Sequence, residues 1–435
     1  MRRPHIVFIV ADDLGFADLG CYGGRVPVSP VLDRMADEGI RFTQGYANSP
    51  VCSPTRFALM TGRYQYRLRG AAEEPISSKS RGSTTLGLPP EHPTLPSLLK
   101  AAGYRTALAG KWHLGYPPAF SPLRSGYDEF FGPMSGGVDY FSHCDFRGAH
   151  DLFEGEAEHR EEGYLTDLIS RRAVDFIERA ASTDGAPFFL SVHYTAPHWP
   201  WETRDDAALA DEVKDNLFHL HGGNIHTYRR MIGHMDEGIG WILEALAARG
   251  VDDDTLVVFT SDNGGERFSD NWPLVGGKMD LTEGGIRVPW IARWPARIGA
   301  GGVSDQLCMT MDWTATMLAA AGVAADPRFP LDGVSLLDVL DDPAHCFDRP
   351  LHWRMNHRGQ RALRRGAWKY LRVDDHDYLF DLGADERERA NRGGREPERL
   401  AALRADWEAW NRTMPPIPAD ATVSVGYGVK DLPQR

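Results

Sequence analysis

The chain has 435 residues, long enough for one large α/β domain or a large domain with a smaller companion, and its hydrophobic and charged fractions, 42% and 25%, are those of an ordinary globular protein. A net charge of −13 disfavours general affinity for nucleic acid or anionic lipid and leaves room only for a local basic pocket that takes a small anion. Five cysteines, at 21, 52, 144, 308 and 346, have no CxxC spacing and leave one over, which argues against a zinc site or a disulfide framework and for a reducing compartment.

Met1-Arg2-Arg3 ahead of Ile6-Val7-Phe8-Ile9-Val10 imitates a secretion signal, but the apolar run is only about half the usual length and ends in Asp12-Asp13, so a buried strand is predicted over 6–11. No other stretch approaches the roughly 20 apolar residues of a membrane helix. A cytoplasmic protein without membrane or nucleic-acid partners is therefore expected. Further apolar runs bounded by turn residues predict strands over 104–109, 188–194, 256–260 and 288–292, with the two-sided apolarity of parallel strands covered on both faces. Helical periodicity appears over 95–102, over 165–181 and most clearly over 228–248, where Gly250 follows as a C-cap. The Gly/Ser/Lys/Arg-containing stretch 71–87 reads as a mobile surface loop. Strands alternating with helices predict a large doubly wound, mixed or parallel sheet flanked by helices, the α/β class. Past about residue 345, short half-buried strands over 361–373 and 378–382 and an amphipathic helix over 396–413 predict a small α+β subdomain with a short antiparallel sheet. The expected division is 1–348 for the large domain and 349–435 for the small one.

Three predicted strands end in polar residues: Asp12-Asp13 after the first, Lys111 and His113 after the second, Asp262-Asn263 after the fourth. Ligands of open α/β sheets collect at such carboxyl ends. Asp12, Asp13, Asp262 and Asn263 together offer only oxygen, which suits a hard cation such as Ca²⁺ or Mg²⁺. Each pair alone is also common in turns and caps. Cys52 precedes Pro54, which fits the first turn of a helix running to Thr61, so residue 52 lies near a positive helix end with Arg56 one turn on. An isolated cysteine there reads equally as a small buried side chain or as a thiolate nucleophile with His113 or His198 as its base.

Cys52-Ser53-Pro54-Thr55-Arg56, continuing to Thr61-Gly62-Arg63, resembles the full signature C-x-P-x-R-x4-T-G-R of the type I, formylglycine-dependent sulfatases, members of the alkaline phosphatase superfamily. The rest of the chain agrees in order: Ala11-Asp12-Asp13-Leu14-Gly15, Gly110-Lys111-Trp112-His113-Leu114-Gly115, Ala196-Pro197-His198-Trp199-Pro200, Ser261-Asp262-Asn263-Gly264, and Gly277-Lys278 leading to Glu283-Gly284-Gly285-Ile286-Arg287-Val288-Pro289. Trp368-Lys369-Tyr370 and Leu379-Phe380-Asp381-Leu382 match the family's closing pattern. The resemblance implies an alkaline-phosphatase-like fold and hydrolysis of aryl or carbohydrate sulfate esters. It implies that a maturation enzyme oxidises Cys52 to formylglycine, whose hydrate binds one divalent cation, Ca²⁺ foremost with Mg²⁺ or Mn²⁺ as alternatives, beside Asp12, Asp13, Asp262 and Asn263. One hydroxyl of that hydrate attacks sulfur; loss of a proton from the other, helped by His113, expels sulfate. Arg56 and Lys111 are expected around the nucleophile, and His198 with Lys278 on the sulfate and leaving oxygen.

Rival functions are a phosphonate monoester or phosphodiester hydrolase of the same superfamily, an inactive protein that captures sulfated ligands, and a hydrolase using unmodified Cys52. A small sulfated substrate is expected; its class lies in loops that the motifs do not reach. Trp199, Trp201 and Trp353 are aromatic candidates for stacking. Segments 139–143 and 352–354 sit where substrate-shaping loops are expected. Asp236 reads as structural, and His219, His221 and His226 as surface residues.

Overall fold

The computed structural model describes residues 3–181, 185–208, 210 and 223–425. At its centre is the strand His5–Ala11, every residue of which is buried. Val7, Ile9 and Ala11 join one core while Ile6, Phe8 and Val10 join another, the alternation of a strand covered on both faces. Phe188–His193 and Thr255–Ser261 flank it in parallel, with Val192 and Phe259 on either side of Ile9. Arg105–Gly110 and Glu129–Gly132 extend the parallel set, and Phe153–Glu154 and Ala157–Glu158 close that edge antiparallel. On the other side Trp290–Arg293 pairs with Thr255–Ser261, followed by Ile40–Phe42 and Gly302–Ser304, completing a mixed sheet of ten strands.

The run expected at 288–292 is thus a strand, but an antiparallel one. A parallel return needs a crossover the length of the sheet; residues 262–289 instead contain only the one-turn helix Glu283–Ile286 and remain at the end where Thr255–Ser261 finishes. That end carries the site described below.

Leu165–Ala181 and Ile225–Ala248 pack together over one face. Cys52–Thr61, Leu95–Ala101 and Thr310–Ala320 cover the other. The longest helix starts three residues before the expected 228, because the Asn224 side chain caps it by accepting from the His226 and Thr227 N–H groups. Gly250, at φ 65°, follows its end as expected. Asp236 accepts from the Val31 and Leu32 N–H groups and so caps the helix Pro30–Asp37.

Beyond residue 349, Pro350–Arg354, Arg361–Arg365, Trp368–Val373 and His376–Asp381 form an antiparallel meander. The stretch 361–373 is two strands that turn at Gly366, φ 55°. Helix Pro397–Asn411 lays Leu403 and Trp407 on Leu363, Tyr370 and Leu379.

The stretch 71–87 is a surface loop only in part: Lys79, Gly82, Thr84 and Thr85 are exposed, but most of 71–80 is built into the fold. Ala71, Glu73, Glu74, Ile76, Ser78 and Ser80 are buried; the Ile76 N–H donates to Ser53 Oγ at 2.9 Å, and Arg81 reaches Asp145 and Asp151 at 2.9 Å each. Its composition reads as solvent-facing, but backbone bonds and one arginine fasten it beside Cys52. Among the described residues, no helix is long and apolar enough to cross a membrane.

Candidate active site

Asp12 and Asp13 directly follow His5–Ala11, Lys111 and His113 follow Arg105–Gly110, and Asp262 and Asn263 follow Thr255–Ser261. Parallel register brings these strand ends to one edge of the sheet. The helix expected from Pro54 begins at Cys52 itself, so residue 52 stands in the first turn, where free N–H groups favour negative charge. Ligand atoms of Asp12, Asp13, Cys52 and Asp262, all buried, lie within 4.8 Å of one another, and those of Asp12, Cys52 and His198 do so as well.

Each of the three carboxylates has a cation on it. Lys111 Nζ donates to Asp12 Oδ2 at 2.5 Å and Lys278 Nζ to Asp13 Oδ2 at 2.6 Å; Arg56 Nε and Nη2 both donate to Asp262 Oδ2, at 3.0 and 2.9 Å. Buried charges demand such pairing. Two acceptors are still orphaned: Asp12 Oδ1 and Asn263 Oδ1 are buried without a hydrogen-bond partner. Asn263 Nδ2 donates to Asp13 Oδ1 and Gly264 O, at 2.7 and 2.9 Å, which fixes which end of the amide is left over. Burial raises the Asp13 carboxyl, but Lys278 and then His198 outweigh it and hold the group well below the usual carboxylate range. Burial and then the neighbouring Asp12 push Asp262 up. Clustered acids with unsatisfied buried oxygens fit a hard divalent cation, which would take up both orphans and relieve the mutual repulsion.

His113 Nε2 lies 2.7 Å from the Ile76 carbonyl and must carry the proton there; Nδ1, buried without a partner, then holds the lone pair. Burial, then Lys111, keep this imidazole neutral, with its pKa far below the ordinary value. His198 places Nδ1 2.5 Å from the Trp199 carbonyl and Nε2 3.6 Å from Asp13 Oδ2; burial and Lys278 lower its pKa to about 3. The Tyr140 hydroxyl donates to the His198 carbonyl at 2.8 Å. Two glycines admit the rings: a Cβ at Gly136 would sit 2.5 Å from His113 Cε1 and one at Gly137 2.9 Å from His198 Cε1. Asp13 and His113 adopt left-handed backbone, φ 63° and 57°; such strain persists where surroundings force a side chain into place.

These groups border a narrow cavity of about 70 Å³, lined by Cys52, His113, His198, Lys278, Trp199 and, from segments without motifs, Ile76, Phe146, Ser424 and Val425. Of the three tryptophans singled out, only Trp199 lines it. Trp201 packs edge-on against Phe268, and Trp353 is fully buried with Nε1 donating to the Ala47 carbonyl. His352 stacks on Trp410 rather than shaping the cavity. His226 is exposed, whereas His219 and His221 lie outside the described residues. Nothing in the sequence marks Ile76, Phe146 or Val425, because their segments meet Cys52 only in the fold.

Residues 4–323 match the family model described as Sulfatase. Human N-acetylgalactosamine-6-sulfatase is 36% identical over 380 residues, covering 81% of this chain and 68% of the relative. Human arylsulfatase A is 33% identical over 404 residues, covering 85% and 74%. The crystal structure of Ps i-CgsB in complex with k-i-k-neocarrahexaose superposes with TM-score 0.83 at 32% identity, over 94% of this chain and 93% of that one. With the signature on a helix N-terminus and the motif residues gathered at one sheet edge, the chain belongs to the sulfatase family and is a sulfuric ester hydrolase.

Proposed function

We propose that this enzyme cleaves small aryl or sugar sulfates with a formylglycine formed from Cys52 and one divalent cation, Ca²⁺ before Mg²⁺ or Mn²⁺, held by Asp12, Asp13, Asp262, Asn263 and the side chain at 52. The observation that carries this reading is the pair of orphaned buried oxygens, Asp12 Oδ1 and Asn263 Oδ1, beside acidic groups and Cys52 within 4.8 Å of one another. The modified residue would supply two geminal hydroxyls, one to attack sulfur and one whose deprotonation expels sulfate, and the cation would acidify the attacking hydroxyl and polarise a sulfate oxygen.

The chain's own residues supply the rest. Arg56 and Lys111, fixed on Asp262 and Asp12, hold positive charge beside residue 52. His113 is neutral with Nδ1 open, the state required of a base. Lys278 is shared between Asp13 and Glu266, at 2.6 and 3.5 Å, and can turn toward an anionic ester. A bound sulfate adds negative charge beside His198, which favours its protonated form and lets Nε2 serve the leaving oxygen. The maturation enzyme is the one macromolecular partner in this reading, and the cytoplasmic placement rests on the odd cysteine count.

Expression with the maturation enzyme, intact-peptide mass spectrometry at residue 52, and assay of 4-nitrophenyl sulfate against phenyl phosphonate esters test the proposal. Formylglycine or its hydrate together with preferential sulfate release is expected, and chelation should abolish turnover. Preference for the phosphonate, or activity with residue 52 unmodified, would overturn it.

A further inference from the structure

The last described residues of the chain come back to the site. Asp420 pairs with Arg69 at 3.0 Å. Past it the chain runs parallel to Glu73–Pro75: the Thr422 N–H donates to Glu73 Oε2 at 3.1 Å, the Glu74 N–H to the Thr422 carbonyl at 2.9 Å, and the Ser424 N–H to the Glu74 carbonyl at 3.0 Å. Ser424 Oγ also donates to the Pro75 carbonyl at 2.7 Å. The next residue is Ile76, whose N–H holds Ser53 and whose carbonyl holds His113. The tail is therefore joined by consecutive backbone bonds to the neighbours of Cys52, and Ser424 and Val425 line the same cavity as Cys52 and His198.

The chemistry of that cavity is one-sided. Its ionisable side chains are Cys52, His113, His198 and Lys278, all at the sulfate end, and the remaining lining among the described residues is apolar or hydroxyl-bearing, with Phe146 and Trp199 in ring contact at 4.8 Å. Among the described residues no arginine and no carboxylate lines it, so a second sulfate or a uronate finds no partner in that lining. Its 70 Å³ falls well below the usual several hundred Å³ of ligand clefts.

We propose that residues 422–425 act as a specificity strap, with Val425 as the wall that limits the leaving group to a single uncharged ring bearing one sulfate. This rests on the sulfatase reading of the site and narrows its substrate class. Val425 sets size by contact, and Ser424 positions Pro75 and Ile76.

The test uses the full chain, matured, with Val425→Gly and Val425→Trp, each checked for a wild-type thermal transition. Substrates are 4-nitrophenyl sulfate, the bulkier estrone sulfate and a polysulfated heparin tetrasaccharide. Wild type should favour the nitrophenyl ester over both others. Val425→Gly should raise kcat/KM for estrone sulfate relative to 4-nitrophenyl sulfate by about tenfold, through KM, and Val425→Trp should shift the ratio the other way. A ratio unchanged in both variants while nitrophenyl sulfate is still turned over, or a wild-type preference for the tetrasaccharide, overturns the strap. Release of sulfate from none of the three by the wild type would instead remove the sulfatase reading beneath it.

Discussion

Asn263 donates through Nδ2 to Asp13 and Gly264, which turns its own Oδ1 inward without a partner. If that oxygen is a cation ligand, Asn263→Ala should weaken Ca²⁺ binding by roughly tenfold or more, read by titration calorimetry on the metal-free protein. Equal affinity would take Asn263 out of the ligand set. Cys52 is packed at the start of its helix, and replacing its sulfhydryl by hydrogen removes little volume. Cys52→Ala is expected to unfold within about 1 kcal/mol of wild type yet show no turnover, measured by denaturation and sulfate release. Cys52→Ser has one hydroxyl and should at most accept one sulfuryl group and stall, visible as a single mass increment; rapid multiple turnover would show the aldehyde to be unnecessary. At this scale the sequence was informative because polar residues at the ends of apolar strands have few reasons to be there. It was silent about Gly136 and Gly137, whose significance is the room they leave for two imidazoles.

Between elements, the segment that follows Ala196 is fastened by a buried acid pair. Glu202 accepts from the Tyr140 N–H at 3.2 Å, and burial, then the adjacent Asp139, push its pKa up to about 9 from an ordinary 4.5. A carboxyl raised in the folded state contributes stability that is fully present below the unfolded value and is lost as pH rises through the folded one. Wild-type stability should therefore fall between about pH 5 and 9. Glu202→Gln, which keeps an acceptor for Tyr140, should match wild type near the lower limit and melt several degrees higher at the upper one in a thermal scan. A parallel decline in both proteins would exclude Glu202 as the source. Strands were legible where burial on both faces leaves an unbroken apolar run, as in His5–Ala11 and Thr255–Ser261. Ile40–Phe42, Gly302–Ser304 and Phe153–Glu154 are too short to carry a period. Direction was equally hidden: Trp290–Arg293 reads the same whichever way it runs.

Across the whole molecule, the small sheet is joined by buried charge to the one-turn helix Glu283–Ile286. Lys369, on the strand Trp368–Val373, is completely buried between Glu283 at 2.9 Å and Glu388 at 2.8 Å, and Arg364 and Tyr46 also converge on Glu283. Burial raises Glu283, but Lys369 and then Arg364 outweigh it and bring the carboxyl down to about 2. Lys369→Met would strip the lysine from Glu388 and leave Glu283 to Arg364 and the more distant Arg287, and should cost about 3–5 kcal/mol in chemical denaturation, more than a surface ion pair could explain. A loss below about 1 kcal/mol would mean that the cluster relaxes or admits water. Composition could not reveal this junction, since Glu283 and Lys369 lie 86 residues apart and each reads alone as a solvated side chain. The buried part of 71–87 was misread for the same cause, as Arg81 beside it is held by acids contributed from far along the chain. Cys52 itself is 1% exposed, and Ser53 beside it holds the Ile76 backbone. On the formylglycine proposal, a modifying enzyme has no route to that sulfur once the chain has closed. Oxidation must then outrun folding during synthesis, and a molecule that folds first is permanently inert, whatever catalyst it meets afterwards.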